Sequence, residues 1–318
     1  MTRAINPREA YGQTLVTLAE KDKRIVALDA DLSKSTKGDL MEARFPERHI
    51  EMSIAEQNMV SVAVGLALGG KIPFVHSFAV FLSGRAYDQI RVGVALAKAN
   101  VKLIGSSSGF SDYGDGATHQ SVEDVAIMRS LPNMTVIVPA DATETAKATE
   151  AIASYRGPVY LKLNRNDLPL VFPEEKEFII GKVYQLRQGR HVTVFANGVM
   201  VSRALEAAEV LARRGIEVSV ADVSTVKPLD TQAVVSLALQ TGAVVTAEEH
   251  NIIGGLGSAV SEALRAEAGI RIEFVGVNDM FGQSALSYQD LLSHYHLTAE
   301  AVVQACDKVL AYSSRVVR

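Results

Sequence analysis

The 318-residue sequence contains a single cysteine, Cys306. No disulfide can therefore form within the chain, and a reducing, cytoplasmic setting is expected. No apolar run approaches the roughly 20 residues that a membrane span needs. The opening MTRAINPREAYGQ has no apolar core of a signal peptide. Basic charge is not in excess: 32 Lys and Arg against 36 Asp and Glu give a net charge of -4, which lends no support to a nucleic-acid binder. Internal repeats and low-complexity segments are missing. His49, His76, His191, His250, His294 and His296 show no metal-ligand spacing, and no metal site is expected on this chain. What remains is an ordinary globular balance, 48% hydrophobic and 21% charged. At roughly 100–200 residues per domain, the length suggests two domains.

Short apolar, β-branched runs alternate with Ala-rich stretches of helical spacing. The runs at 24–29 (RIVALD), 71–75 (KIPFV), 101–105 (VKLIG), 134–138 (MTVIV) and 159–163 (VYLKL) predict strands, and 54–68 and 88–98 predict helices between them. Apolar strands alternating with helices predict an α/β fold with a mainly parallel sheet flanked by helices. Two prolines and an acidic run break the pattern between 168 and 189, which reads as a linker. A second α/β series follows, with strands at 191–196, 217–221, 243–248 and 271–275 and helices near 200–213 and 256–266. The expected domains are therefore 1–168 and 190–318, joined by 169–189.

Glu56 opens the stretch IAEQNMVSVAVGLALGG, at the start of a helix that is apolar nearly all round. A carboxylate there is poorly solvated. By itself it could simply answer the helix dipole. In the following HSFAVFLSGRAYDQIR, Phe78 and Phe81 lie three apart, a spacing that puts both on one side of a helical turn. Such pairs are usually core. A buried carboxylate beside an aromatic shelf is also what an aminopyrimidine ring needs: a face to stack on and an acid at one ring nitrogen.

Taken together, IAEQNMVSVAVG, FAVFLSGRAYDQIR, GFSDYGDGATHQSVEDVAIMRSLPNMTVIVPAD, VKPLD and AEEHNIIGGLGSAV resemble the transketolase family, in order, from about residue 6 to about 310. The resemblance implies a thiamine-diphosphate-binding pyrimidine domain followed by a transketolase C-terminal domain. It implies that Glu56 activates thiamine diphosphate by favouring the imino tautomer of its aminopyrimidine, which deprotonates the thiazolium carbon. Phe78 and Phe81 then stack that ring, with Phe81 the closer match, and Asp31 is a further candidate near the same mouth. Asp115 and His119 in GDGATHQ match a pair that binds donor hydroxyls and helps proton transfer. Arg8, Ser35 and Arg165 match the phosphate-binding positions, where an arginine fork suits a phosphate. The segment after Phe81 is one residue longer than in some relatives, which leaves Arg85 and Tyr87 open. Ser107 stands where many members have a substrate-contacting histidine.

Two further signatures mislead. Gly114–Gly116 mimics the metal-diphosphate motif of thiamine enzymes, but no asparagine follows where a magnesium ligand is needed. Gly254, Gly255 and Gly257 do not have dinucleotide-loop spacing and read as a tight turn into a helix. The resemblance further implies that the diphosphate and Mg2+, or another divalent cation, are held by a separate N-terminal diphosphate-binding subunit. Two copies of each chain are expected, with sugar phosphates as substrates. The expected activity is transfer of a two-carbon ketol unit from a ketose donor to an aldose acceptor. The rival readings are the beta subunit of a 2-oxoacid dehydrogenase and a non-catalytic regulatory subunit. A membrane or nucleic-acid partner is not expected.

Overall fold

A computed structural model describes residues 3–311. Among them, two large sheets carry the architecture. The first has seven strands in the spatial order Thr225–Lys227, Thr135–Ile137, Val159–Lys162, Lys102–Ser106, Ile72–Phe78, Ile25–Asp29, His49–Glu51. Six run parallel, and Thr225–Lys227 pairs antiparallel with Thr135–Ile137. The second sheet runs Arg271–Val277, Ala243–Asn251, Val192–Ala196, Val218–Asp222, Tyr184–Arg187, with the last strand antiparallel.

Helices cover the sheets, and so Ile25–Asp29, Lys102–Ser106 and Val192–Ala196 are buried at every position. That burial on both faces is why these strands read as continuous apolar runs rather than as alternation. Every strand expected from the sequence is present. The helix Pro7–Lys21 starts with proline in its first turn, and Asn6 caps it by accepting from the Arg8 backbone N–H at 3.1 Å. Its Tyr11, Leu15 and Ala19 share a core with Ala148 and Ile152 of the helix Ala142–Ser154. No helix of the described residues is long and apolar enough to cross a membrane.

The expected division near residues 168 and 190 is bridged in two ways. The strand Thr225–Lys227 comes from the second half of the sequence and joins the edge of the first sheet. Behind it, Glu144 of the first half and Asp222 of the second are both fully buried. Burial pushes the Glu144 carboxyl up to about 7 and the Asp222 carboxyl well above its ordinary value; Glu144 raises Asp222 further, while the hydrogen bond with Asp222 opposes the rise at Glu144. Two carboxyl groups in that setting share a proton more readily than they both ionise.

Candidate active site

The parallel strands of the first sheet end on one rim, and the residues singled out in the sequence gather just beyond it. Phe78 is the last residue of its strand, Ser107 follows Lys102–Ser106, Arg165 follows Val159–Lys162, and Asp31 follows Ile25–Asp29. Loops past the carboxyl ends of parallel strands are where open α/β sheets place their ligands.

Glu56 is the first residue of the helix Glu56–Leu68 and is 1% exposed. Its Oε1 accepts from the Ser77 hydroxyl at 3.2 Å, and its Oε2 from Arg85 Nη1 at 2.6 Å. The rings of Phe78 and Phe81 stack with centroids 6.0 Å apart and planes 13° apart. One expectation needs correcting: the two do not share a helical turn. Phe78 closes a strand and Phe81 opens a π-helical turn, Phe81–Arg85, so it is the change from strand to helix that aligns the rings. That turn holds more residues than an α-turn.

His119 stands edge-on to both rings, 5.2 Å from Phe81 and 6.2 Å from Phe78 between centroids. Its Nδ1 lies 2.9 Å from the Thr118 hydroxyl, leaving Nε2 for a ligand. Asp115 is exposed, at the start of the turn Gly116–Thr118. The glycine motif around it is structural: Gly116 has φ +77°, and a Cβ there would lie 2.5 Å from Ser284 Oγ.

The three phosphate candidates come together. Arg8 donates Nη2 to the Arg165 carbonyl at 2.9 Å and Nη1 to the Ser35 carbonyl. Asn6 Nδ2 donates to the same Arg165 carbonyl at 2.7 Å. Burial, with Arg165 close by, lowers the Arg8 pKa to about 10. Arg165 itself donates Nη1 to Asp112 Oδ2 and lies 6.0 Å from the Phe78 ring centroid. Desolvation raises the Asp112 carboxyl, and the Arg165 charge opposes that rise. Asp31 stands apart: its exposed residue has φ 59°, and its backbone N–H donates to Glu51 Oε1 at 2.8 Å. Ser107 is buried at φ 51°, with its hydroxyl unpartnered among the described residues.

Beneath the site, His76 is fully buried and pairs through Nε2 with the Tyr11 hydroxyl at 2.5 Å, and burial lowers its pKa to about 3. It is a core histidine. The Gly254–Gly257 turn is likewise structural, because Glu248 caps the helix behind it by accepting from the Leu256 and Gly257 N–H groups at 2.7 and 2.8 Å. The place a phosphate would take is filled by that carboxylate. No group of three or more His, Cys, Asp or Glu side chains among the described residues could hold a metal ion.

Sequence reasoning did not single out Ser77, Asn6 or Asp112. The segment GFSDYGDG carries two aspartates, and nothing in its spacing tells which one faces Arg165. Arg85 is the cation on Glu56.

Known proteins resemble this chain over both halves of its sequence. The family described as transketolase, pyrimidine binding domain, matches residues 3–171, and the transketolase C-terminal domain matches 181–302. A 6-deoxy-6-sulfo-D-fructose transketolase subunit from Clostridium sp. (strain MSTE9) is 45% identical over 302 residues, covering 95% of this chain and 94% of that protein. Human transketolase is 38% identical over 307 residues, 95% of this chain and 48% of that enzyme. A solved structure described as a split gene transketolase, inactive beta4 tetramer, superposes with a TM-score of 0.89 at 47% identity, covering 97% of this chain and 99% of that one.

Proposed function

We propose, from the premise that this chain belongs to the transketolase family and is built as the C-terminal subunit of a split transketolase, that it supplies the pyrimidine side of a thiamine-diphosphate site and needs a diphosphate-binding chain for activity. The observation that carries the reading is the buried Glu56 carboxylate, joined through Arg85 to the face of Phe81, whose ring stacks with that of Phe78. An acid and a flat aromatic face, side by side at the rim of a parallel sheet, fit an aminopyrimidine. When bound, thiamine diphosphate supplies the carbon nucleophile that carries a two-carbon ketol unit between sugars.

The residues of this chain divide the remaining work. Glu56 holds a proton at the ring nitrogen, and the Ser77 hydroxyl keeps its carboxylate oriented. Phe81 and Phe78 offer the stacking surface and exclude water from it. His119, with Nε2 available, exchanges a proton at a substrate hydroxyl, and Asp115 lies on the same loop to bind a second hydroxyl. Arg165, positioned through its own carbonyl by Arg8 and Asn6, meets a terminal phosphate at the mouth, with Ser35 beside it. Asp31 is exposed and only its backbone N–H is engaged, by Glu51, which leaves it the weakest member of the set.

The magnesium and the diphosphate are assigned to the partner chain, with two copies of each chain in the assembly. The inactivity stated for the beta4 tetramer of the similar split-gene protein supports the need for a second kind of subunit. The lone, buried Cys306 supports a cytoplasmic setting, and the phosphate set supports sugar phosphates of pentose-phosphate type as substrates. Residues 1–168 and 190–318 are taken as the two domains. The test is reconstitution: the chain mixed with a diphosphate-binding partner, thiamine diphosphate and Mg2+ should transfer a ketol unit from a ketose phosphate to an aldose acceptor. Transfer from pyruvate to a carrier domain instead would overturn the reading.

A further inference from the structure

Arg85 sits where the two assets of the site meet. Its Nη1 donates to Glu56 Oε2 at 2.6 Å, and its guanidinium carbon lies 4.7 Å from the centroid of the Phe81 ring. The other oxygen of Glu56 is engaged by Ser77. Both carboxylate oxygens are therefore occupied, one of them by a full positive charge. The pair is lopsided. The Glu56 side chain is 1% exposed and cannot move to water, whereas the Arg85 side chain is 43% exposed and can. The backbone beneath also has room. Phe81–Arg85 is a π-helical turn, and a Cβ on its exposed Gly84 would meet nothing within 4 Å.

We propose that Arg85 is a displaceable stopper: its guanidinium and the cofactor's aminopyrimidine ring compete for Glu56 Oε2 and for the face of Phe81. The proposal rests on the reading of Glu56 and Phe81 as the ring's partners. A ring stacked on Phe81 needs the surface that the guanidinium covers. A ring nitrogen paired with Glu56 needs the oxygen that Arg85 holds. Entry of the ring therefore breaks the ion pair and sends Arg85 toward solvent. Until then, Arg85 spares the chain a buried carboxylate with no cation, a costly arrangement. The same residue thus supports the chain by itself and opposes its cofactor.

Those opposite signs are the test. Arg85→Ala and Arg85→Gln are prepared, and each is assembled with the diphosphate-binding chain. The dissociation constant of thiamine diphosphate with Mg2+ is measured by titration calorimetry. Because a half-exposed pair contributes modestly, affinity should tighten by about 3–10-fold. The melting temperature of the isolated variant chain should fall, and adding Glu56→Gln should restore part of it. Unchanged or weaker cofactor binding in both variants would overturn the proposal and make Arg85 a bystander or a cofactor ligand. Phe81→Ala separates this from the underlying reading. If Phe81→Ala weakens cofactor binding while the Arg85 variants do not tighten it, the stopper fails and the site stands. If Phe81→Ala also has no effect, the assigned site itself fails.

Discussion

Replacing Arg165 with alanine probes the mouth of the site. Its side chain is 30% exposed, and Nη1 is committed to Asp112. A guanidinium carries five N–H groups, so the rest of the fork remains for a ligand anion. A charge-assisted hydrogen bond typically contributes about 1.5–3 kcal/mol. Arg165→Ala should therefore raise KM for a sugar-phosphate acceptor by roughly 10–100-fold. A small unphosphorylated acceptor such as glycolaldehyde should be nearly unaffected. One complication is visible in the geometry: the change strips the cation from the buried Asp112 carboxylate, which desolvation already pushes toward its neutral form. The double variant Arg165→Ala/Asp112→Asn removes that stranded charge and should keep the same selectivity for the phosphate. The assay is steady-state transfer to each acceptor, with the partner chain present throughout. Equal losses on both acceptors would refute the phosphate reading and make Arg165 a support for the fold or the cofactor.

Glu56→Gln keeps the shape of the side chain but removes the acid, so turnover of the assembled enzyme should drop roughly 10²–10⁴-fold, with a smaller change in cofactor affinity; near-wild-type turnover would sink the assignment. The isolated chain should fold yet bind thiamine diphosphate weakly even with Mg2+, and calorimetry showing tight binding without a partner would contradict the division of labour. Glu144 is raised from its ordinary 4.5 to about 7 by burial, so the folded chain retains a proton that the unfolded chain has lost between those values. That stabilisation is fully present below about 4.5 and is lost as pH rises through 7. Glu144→Gln should flatten the decline in melting temperature between about pH 5 and 8, and superimposable wild-type and variant profiles would argue against the shared proton.

The strand–helix alternation was legible because fully buried parallel strands leave an unbroken apolar signature, as at Ile25–Asp29 and Val192–Ala196. The rim residues were legible through motif order: Glu56, Phe78, Phe81 and His119 do stand together, as do Arg8, Ser35 and Arg165. Three things were not. The strand Thr225–Lys227 is too short to show periodicity, and its partner Thr135–Ile137 lies far away in sequence. The Arg85–Glu56 contact depends on a π-turn, which arguments from 3.6-residue spacing do not contain. The third is the pair of bonds from Arg8 Nη1 and Nη2 to the Ser35 and Arg165 carbonyls; side-chain to main-chain bonds between residues 27 and 157 apart leave no trace in a pattern.

The edge strand Thr225–Lys227 limits how this chain can be recombined. A chimera joined within 169–189, with its halves drawn from two relatives, would set one parent's Thr135–Ile137 segment against the other parent's borrowed edge. It would also bring a foreign neighbour to Glu144 in place of Asp222. Whatever varies on one side of that seam must be matched on the other, even though each half has a sheet of its own. Transplanting the first half into another scaffold requires carrying those three residues with it, or replacing them with another strand to close the edge.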